Sequence, residues 1–299
     1  MNIIHINDHL TAFYVGRDAP ATPAGPAKNW LQFDLDLGVC AYAFHYEGRA
    51  LVFDTLPGPE YGRRMRAYLE DELGARRIIV ILSHWHLDHI GGCEAFKDCD
   101  IMSSAQTRQF LAKNQAAIEA GELWGPPALP PLSLPYMSLL APMPFRMGEL
   151  SLEPLPFDVH TAGSLALYCP EDKILLVGDM LEDNIPCLNH PEAVPVHIDN
   201  LSAMTRLDVT AIYPGHGSPD KIARGGYGKD FITATADYMN HALDLCREQS
   251  LAPGRLKDWL APWEERGVLE YHPVYEGVHT ANVERMRDYY RTRPVPEVL

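Results

Sequence analysis

The sequence predicts an α/β layered domain followed by an all-helical C-terminal section. Apolar, strand-like segments alternate with helix-like ones up to about residue 220, the order typical of layered α/β folds. From about residue 224 onward the segments are helix-like only. We therefore expect residues 1–223 to form one domain and residues 224–299 to form a helical section packed on it.

The first predicted elements are a hairpin, a helix and a buried strand. Residues 39–46 and 50–53 are apolar runs separated by Glu47-Gly48, a pair suited to a turn. Residues 60–73 carry apolar side chains at helical spacing and stop before Gly74, a common residue after a helix end. Residues 78–82 are wholly apolar, which is typical of a strand buried on both faces.

The later elements follow the same alternation. A helix start is expected at Ile90 and a full helix over residues 104–120, with a short helix over 201–207. Strands are expected at 150–155, 165–169, 174–177 and 209–213, and C-terminal helical segments at 231–247, 256–260 and 283–290. These segments give the predicted domain its second group of strands and its helical end.

Residues 125–144 are rich in proline. Seven prolines in this stretch exclude a helix or a central strand. Such a long segment in a compact domain serves either as a lid over a site or as a rigid surface connection, and both interpretations stay open.

Composition narrows the class of protein. The chain has 299 residues and a formal net charge of −15, which disfavours a nucleic-acid surface. No segment has the roughly 20 apolar residues of a membrane span, and the first residues lack the features of a signal peptide. Six dispersed cysteines without a CxxC pair are typical of reduced thiols. We expect a cytoplasmic protein with a small-molecule substrate, whose oligomeric state stays open.

A cluster of metal-binding residue types follows the predicted strand at 78–82. His84, His86, Asp88 and His89 lie within six residues. If the segment stays extended, the side chains at 84, 86 and 88 point one way and His89 points the other way, so one loop can serve two ions. Imidazole and carboxylate ligands suit zinc, and also iron or manganese. The sequence therefore predicts a site for two divalent metal ions, zinc being the first candidate.

Three further residues are candidate ligands because each lies at the end of a predicted strand or next to one, with glycine nearby. His160 precedes the strand at 165–169, Asp179 follows Gly178, and His216 lies between Gly215 and Gly217. Glycine lets the backbone adopt the tight conformations that aim a ligand. The other histidines are interpreted as surface or hydrogen-bonded core residues: His5, His9, His45, His190, His197, His241, His272 and His279.

The order His84-x-His86-x-Asp88-His89, then His160, Asp179 and His216, resembles the metallo-β-lactamase superfamily over about residues 30–220. Asp54-Thr55 and the segment 160–164 are similar to further family motifs. Val159 and Ala162 depart from the glycine and proline that the family usually has, but neither change removes a ligand atom.

The resemblance implies a four-layer αβ/βα sandwich with its site at one edge of two facing sheets. It implies that His84, His86 and His160 hold one ion, that Asp88, His89 and His216 hold the other, and that Asp179 bridges them. The bridging aspartate makes the chain look more like the glyoxalase II and lactonase branches than like true β-lactamases. The resemblance therefore implies a hydrolase of a small ester, thioester, lactone or related acyl compound.

Two ions of this kind hold a bridging hydroxide, which serves as the nucleophile. Asp88 is the candidate catalytic residue, as a ligand that also orients the hydroxide. Asp54, Thr161 and Ser164 are candidates to support the ligands, with capping of turns or strand ends as the alternative.

Two other functions remain open at this point. Some relatives with this motif use one iron ion for dioxygenation of sulfur compounds. A non-catalytic, ligand-binding regulator on the same fold is the second alternative.

Overall fold

The computed structural model describes residues 1–17, 29–139, 143–248, 250 and 252–296. Pro142, one of the prolines of the 125–144 segment, lies outside the described residues. Within them, seven strands form a first sheet in chain order and five strands form a second sheet.

The first sheet combines an antiparallel half with a parallel half. Strands β1 to β4 pair antiparallel, and β4 to β7 pair parallel. Their bounds are β1 Asn2–His5, β2 Leu10–Val15, β3 Val39–Tyr46, β4 Arg49–Phe53, β5 Arg77–Ile81, β6 Asp100–Ser103 and β7 Met137–Ser138. The helices that connect strands of this sheet along the chain are α1 Trp30–Leu37, α2 Pro59–Asp71, α3 Leu87–Ile90 and α4 Ala105–Glu119. A 3₁₀ turn follows α3 over Cys93–Phe96.

The second sheet has the order β12-β11-β10-β9-β8. Its strands are β8 Phe145–Met147, β9 Leu150–Pro156, β10 Leu165–Cys169, β11 Ile174–Gly178 and β12 Ala211–Pro214. β11 and β12 run parallel, and the other pairs are antiparallel. The remaining helices are α5 Val194–Met204, α6 Pro219–Ala223, α7 Asp230–Arg247, α8 Leu256–Glu265 and α9 Tyr275–Tyr290.

Alternation along β3 shows how the layers stack. Tyr42 and Phe44 join a core that contains the second sheet, whereas Ala41 and Ala43 join another core that contains α2 and α4. Side chains of a strand alternate between the two faces of its sheet, so the first sheet lies between those layers. Helices α5, α7 and α9 share the core of the second sheet. The result is a helix–sheet–sheet–helix sandwich with a helical C-terminal section, as predicted.

Most predicted elements agree with the structure, and several regions differ. Helix α5 begins at Val194, seven residues before the expected start, because Pro195 is tolerated in a first turn, where its missing N–H has no helical partner. The helix expected from Ile90 is the single turn α3, after which Gly91 and Gly92 pass close to the Pro57 and Thr55 carbonyls. The elements that were not predicted are β1, β2, β6, β7, β8, α1 and α6.

Candidate metal centre

The predicted ligands converge at one edge of the two sheets. His84 and His86 lie in the loop after β5, and Asp88 and His89 lie in α3. Asp179 directly follows β11. His160 lies between β9 and β10, and His216 lies two residues after β12. Because β5, β11 and β12 all end at this edge, residues far apart in the chain come into contact.

Two clusters of potential ligand atoms form there. One contains His84, His86, His160 and Asp179, and the other contains Asp88, His89, Asp179 and His216; within each, the ligand atoms lie within 4.8 Å of one another. We expected the segment after β5 to be extended, with the side chains at 84, 86 and 88 pointing the same way. In the structure it is not extended throughout. The helical turn α3 moves Asp88 away from His84 and His86 and into the second cluster with His89.

In the first cluster, Asp179 Oδ2 lies 3.4 Å from His84 Nε2 and 3.6 Å from His160 Nε2. His160 Nε2 lies 2.9 Å from His86 Nδ1. Tetrahedral ligands at zinc bond lengths lie roughly 3.3 Å from one another. The spacing therefore suits one small divalent ion.

The second cluster has similar spacing. His89 Nε2 lies 3.0 Å from Asp179 Oδ1 and 2.9 Å from Asp88 Oδ2. Asp88 Oδ2 lies 3.2 Å from His216 Nε2. The two clusters meet at Asp179, which offers one carboxylate oxygen to each. A pair of adjacent sites with a shared carboxylate is the arrangement of a dinuclear centre.

Several of these buried polar atoms have no hydrogen-bond partner within the described part of the chain: His84 Nε2, Asp88 Oδ2, His89 Nε2 and Asp179 Oδ1. Some lie near 3 Å from one another, but their directions do not suit a hydrogen bond. Buried polar atoms without partners cost free energy, and a cation between them would remove that cost. The residues present therefore fit a metal ion.

The second ring nitrogen of three imidazoles is held by the protein. His84 Nδ1 contacts Ser83 Oγ at 2.9 Å, and His89 Nδ1 contacts Asp54 Oδ2 at 2.8 Å. His216 Nδ1 donates to the Gly38 carbonyl at 2.7 Å. Partners of this kind set the ring orientation and the tautomer, which leaves the Nε2 lone pair for an ion.

Asp54 connects the end of β4 to the ligand loop. Its carboxylate accepts hydrogen bonds from the Ser83 backbone N–H and from Ser83 Oγ, both at 2.7 Å, and also contacts His89. Thr161 and Ser164 instead bond each other at 2.8 Å within their own turn. Of the three predicted supporting residues, Asp54 contacts a candidate ligand directly, while Thr161 and Ser164 cap a turn.

The electrostatics of the two clusters differ. Burial, followed by repulsion from His84, lowers the pKa of His86 to about 3, and burial and His86 lower the pKa of His160 well below its usual value. Burial also opposes the charge on His89, but Asp179 and Asp88 outweigh it and raise that pKa well above normal. His86 and His160 therefore offer neutral imidazoles to the first cluster, whereas an ion entering the second cluster displaces a proton from His89.

A cavity of about 440 Å³ opens over both clusters. Ligand residues form its floor: His86, Asp88, His160, Asp179 and His216. Its walls are largely apolar: Trp30, Phe33, Leu37, Leu87 and Trp124. A concave, mostly apolar pocket with a few convergent polar groups is typical of a small-molecule site.

Stacked aromatic rings support one side of the cavity. Trp85 stacks on Phe110 at 3.8 Å and on Trp124 at 5.5 Å between ring centroids. Trp124 meets the His86 ring edge-on at 5.9 Å. The stack therefore holds both a wall residue and a candidate ligand in place.

The sequence pointed to some cavity residues and missed others. From the sequence, pocket residues are expected in the proline-rich segment with Trp124, Tyr136 and Met137, in the loop 184–197 and in the C-terminal helices. Trp124, Cys187 and Asn189 line the cavity, whereas its described lining includes no residue of the C-terminal helices. Within the described residues, Tyr136 and Met137 do not line it, and the Tyr136 hydroxyl bonds Asp100 at the sheet edge.

Helix α1, which was not predicted from the sequence, also lines the cavity. It supplies Trp30, Phe33, Asp34 and Leu37 to the cavity. Their i, i+3, i+4, i+7 spacing was the signal that could have found this helix face.

The family comparison agrees with this geometry. The family model described as the metallo-beta-lactamase superfamily matches residues 36–99 and 111–216. The chain belongs to the metallo-beta-lactamase superfamily. The matched residues include all seven candidate ligands, and His216 is the last residue of the match.

Two curated relatives are similar to part of the chain. A probable metallo-hydrolase, YqjP of Bacillus subtilis, is 26% identical over 200 residues, which cover 54% of this chain and 62% of that protein. The acyl-coenzyme A thioesterase MBLAC2 of Gallus gallus is 25% identical over 163 residues, which cover 49% of this chain and 58% of that protein. The chain thus spans about three-fifths of the length of these relatives.

Solved structures share the fold. A metallo-beta-lactamase from Pontibacter korlensis is 18% identical with a TM-score of 0.58, covering 80% of this chain and 98% of that chain. The DIM-1 metallo-beta-lactamase is 15% identical with a TM-score of 0.56, covering 81% and 97%. At these identities the likeness concerns the fold alone.

Across the described residues, the helices are all too short or too polar to cross a bilayer.

Proposed function

We propose that the chain hydrolyses a small ester, thioester, lactone or related acyl compound, using two divalent ions held by the clusters that share Asp179. Zinc is the first candidate metal, with iron or manganese as alternatives. The observation that carries this proposal is the shared carboxylate: Asp179 belongs to both ligand clusters and lines the cavity.

In this proposal His84, His86 and His160 would hold one ion, Asp88, His89 and His216 would hold the other, and Asp179 would serve both. Bound divalent ions would supply activated water and polarise the acyl carbonyl oxygen. The chain's own nucleophilic side chains are then unnecessary for attack on the carbonyl.

The protein residues around the centre have three tasks. Asp88 faces the cavity as well as the second cluster, so its carboxylate can orient the attacking water. Asp54 holds the His89 ring, and the Gly38 carbonyl holds the His216 ring. The apolar walls limit water around the acyl group, which strengthens electrostatic interactions inside the cavity.

The relatives support the same reaction class. The name of MBLAC2 describes an acyl-coenzyme A thioesterase, and the name of YqjP describes a probable metallo-hydrolase. Thioester hydrolysis belongs to the proposed reaction class. The retained Asp179 also agrees with the hydrolase branches that the sequence motif resembles.

The Asp179→Asn variant tests the proposal. Replacing the shared carboxylate by an amide removes one negative charge from both clusters, so we expect hydrolysis of generic acyl esters to fall by at least about a hundredfold. Steady-state hydrolysis of p-nitrophenyl acetate by the zinc-loaded full chain measures the effect. Asp199→Asn, an exposed aspartate on α5, is the matched control and should hydrolyse like the wild type.

Unchanged turnover in Asp179→Asn with full metal content would contradict the proposal. Oxygen uptake with a thiol or persulfide substrate and one bound iron would instead identify the sulfur dioxygenase alternative. A metal-loaded wild type with neither activity would favour a ligand-binding regulator.

A further inference from the structure

We infer that the substrate carries a positively charged amine or quaternary ammonium group, which binds between Asp34 and the aromatic wall of the cavity. This inference names the substrate class of the proposed hydrolase and rests on that proposal for the reaction itself. The residues that carry it line the cavity outside the two ligand clusters.

Asp34 is the one acidic residue on an otherwise apolar helix face. Trp30, Phe33 and Leu37 share this face of α1, and all of them line the cavity with Asp34. Within the described residues, the Asp34 side chain has no hydrogen-bond or ion-pair partner. A carboxylate among apolar side chains costs free energy unless a partner is present. A cationic group of a bound substrate would be that partner.

The described cavity wall outside the ligand clusters contains a second carboxyl group and no basic side chain. Glu182 also lines it, is 1% exposed, and accepts a hydrogen bond from the Tyr275 hydroxyl at 3.1 Å. Among the described lining residues there is no lysine or arginine. Asp88 and Asp179 belong to the ligand clusters, and Glu182 Oε1 lies 3.9 Å from Nδ1 of the candidate ligand His160. Asp34 is therefore the acidic lining residue left to face a substrate.

Aromatic rings complete the surroundings of a cation. The Trp30 indole N–H donates to the Pro127 carbonyl at 3.0 Å, which fixes the ring in the wall. Trp124 is held by its stack on Trp85, and Phe33 lies on the same helix face as Asp34. Aromatic faces attract ammonium groups through their quadrupole, and such rings with a carboxylate bind quaternary ammonium ligands.

Away from the proposed metal ions, the described cavity wall offers no basic side chain to an anionic substrate. Carboxylate and phosphate groups are usually bound by arginine or lysine, and the described wall offers neither. The net charge of −15 also raises the local concentration of cations around the chain. Asp34 is therefore proposed as a specificity-determining residue.

A pair of isosteric esters tests the inference. Acetylcholine and 3,3-dimethylbutyl acetate have nearly the same shape, but only the first carries a charge. For the zinc-loaded wild type we expect kcat/KM to favour acetylcholine by about tenfold or more. In Asp34→Asn the ratio of the two kcat/KM values should fall towards one. Asp36→Asn is the matched control, because Asp36 lies on the same helix and its carboxylate bonds exposed Gln32.

A binding measurement separates this inference from the proposed reaction. Calorimetric titration with choline should show binding to the wild type and to Asp36→Asn, with affinity reduced by about tenfold in Asp34→Asn. Circular dichroism confirms that each variant is folded. Choline binding without hydrolysis of either ester would overturn the proposed function and leave this inference standing. Equal hydrolysis of the two esters, or preference for the neutral one, would overturn the inference alone, since Asp34 would then serve neutral substrates.

Discussion

Gly215 has no functional group, yet it shapes the ligand cluster around Asp179. A Cβ atom built at this position would lie 2.5 Å from Asp179 Oδ1 and 2.7 Å from His89 Cε1. Atoms of buried ligands cannot move away without changing the geometry of the cluster. The backbone after β12 therefore passes the centre at a distance that only glycine allows.

We predict that Gly215→Ala weakens metal binding by at least about tenfold, because the methyl group displaces both Asp179 and His89. Competition against a chromogenic zinc chelator measures the affinity. Gly228→Ala is the matched control, since a Cβ there meets no atom within 4 Å. Equal zinc affinity in the two variants would show that the cluster tolerates the displacement.

Among individual residues, the candidate metal ligands could be predicted from the sequence better than the groups that hold them in place. The candidate ligands could be predicted because histidine and aspartate next to strand ends have few other uses in such density. The support from the Gly38 carbonyl to His216 could not be predicted, because it joins residues 178 positions apart. The role of Asp34 was missed because the cavity that it borders is formed by residues distant in the chain, although the spacing of its helix face was visible in the sequence.

Helix α9 connects the C-terminal section to the cavity. Asn282 is 1% exposed and accepts a hydrogen bond from the Leu188 N–H at 2.8 Å. Its amide donates to the Pro186 carbonyl at 2.9 Å. Between these two backbone groups lies Cys187, which lines the cavity. One side chain of the helix thus holds a segment of the cavity wall.

We predict that Asn282→Ala lowers the free energy of unfolding by about 2–4 kcal/mol, because it leaves buried backbone groups of Pro186 and Leu188 unsatisfied. Urea denaturation followed by circular dichroism measures the change. Thr280→Ala on the exposed side of the same helix should stay within about 0.5 kcal/mol of the wild type. A loss in Asn282→Ala no larger than that of the control would mean that α9 does not hold the wall.

At the scale of elements, the alternation of strands and helices was predictable for the parts with clear apolar periodicity. β10 has the predicted bounds, Leu165–Cys169. β2 was not predicted, although all six of its residues are buried and all but Thr11 are apolar, the pattern that predicted the strand at 78–82. The boundary at residue 224 between the main domain and the helical section stays a prediction, although α7 and α9 share the core of the second sheet.

The whole molecule brings the ends of two sheets together at one edge. β5 belongs to the first sheet, and β11 and β12 belong to the second. Each cluster draws ligands from both sheets, so neither site exists until the sandwich has formed. Metal binding should therefore be coupled to folding of the whole sandwich. The resemblance of the motif order predicted this arrangement, whereas composition and periodicity alone did not.

The metal content of the purified wild-type chain tests the shared centre most directly. After loading with zinc and removal of unbound ions by gel filtration, elemental analysis should find two zinc ions per chain. That result would show that both clusters around Asp179 hold an ion. One ion per chain, or none, under conditions in which the protein is folded would contradict the two-ion centre.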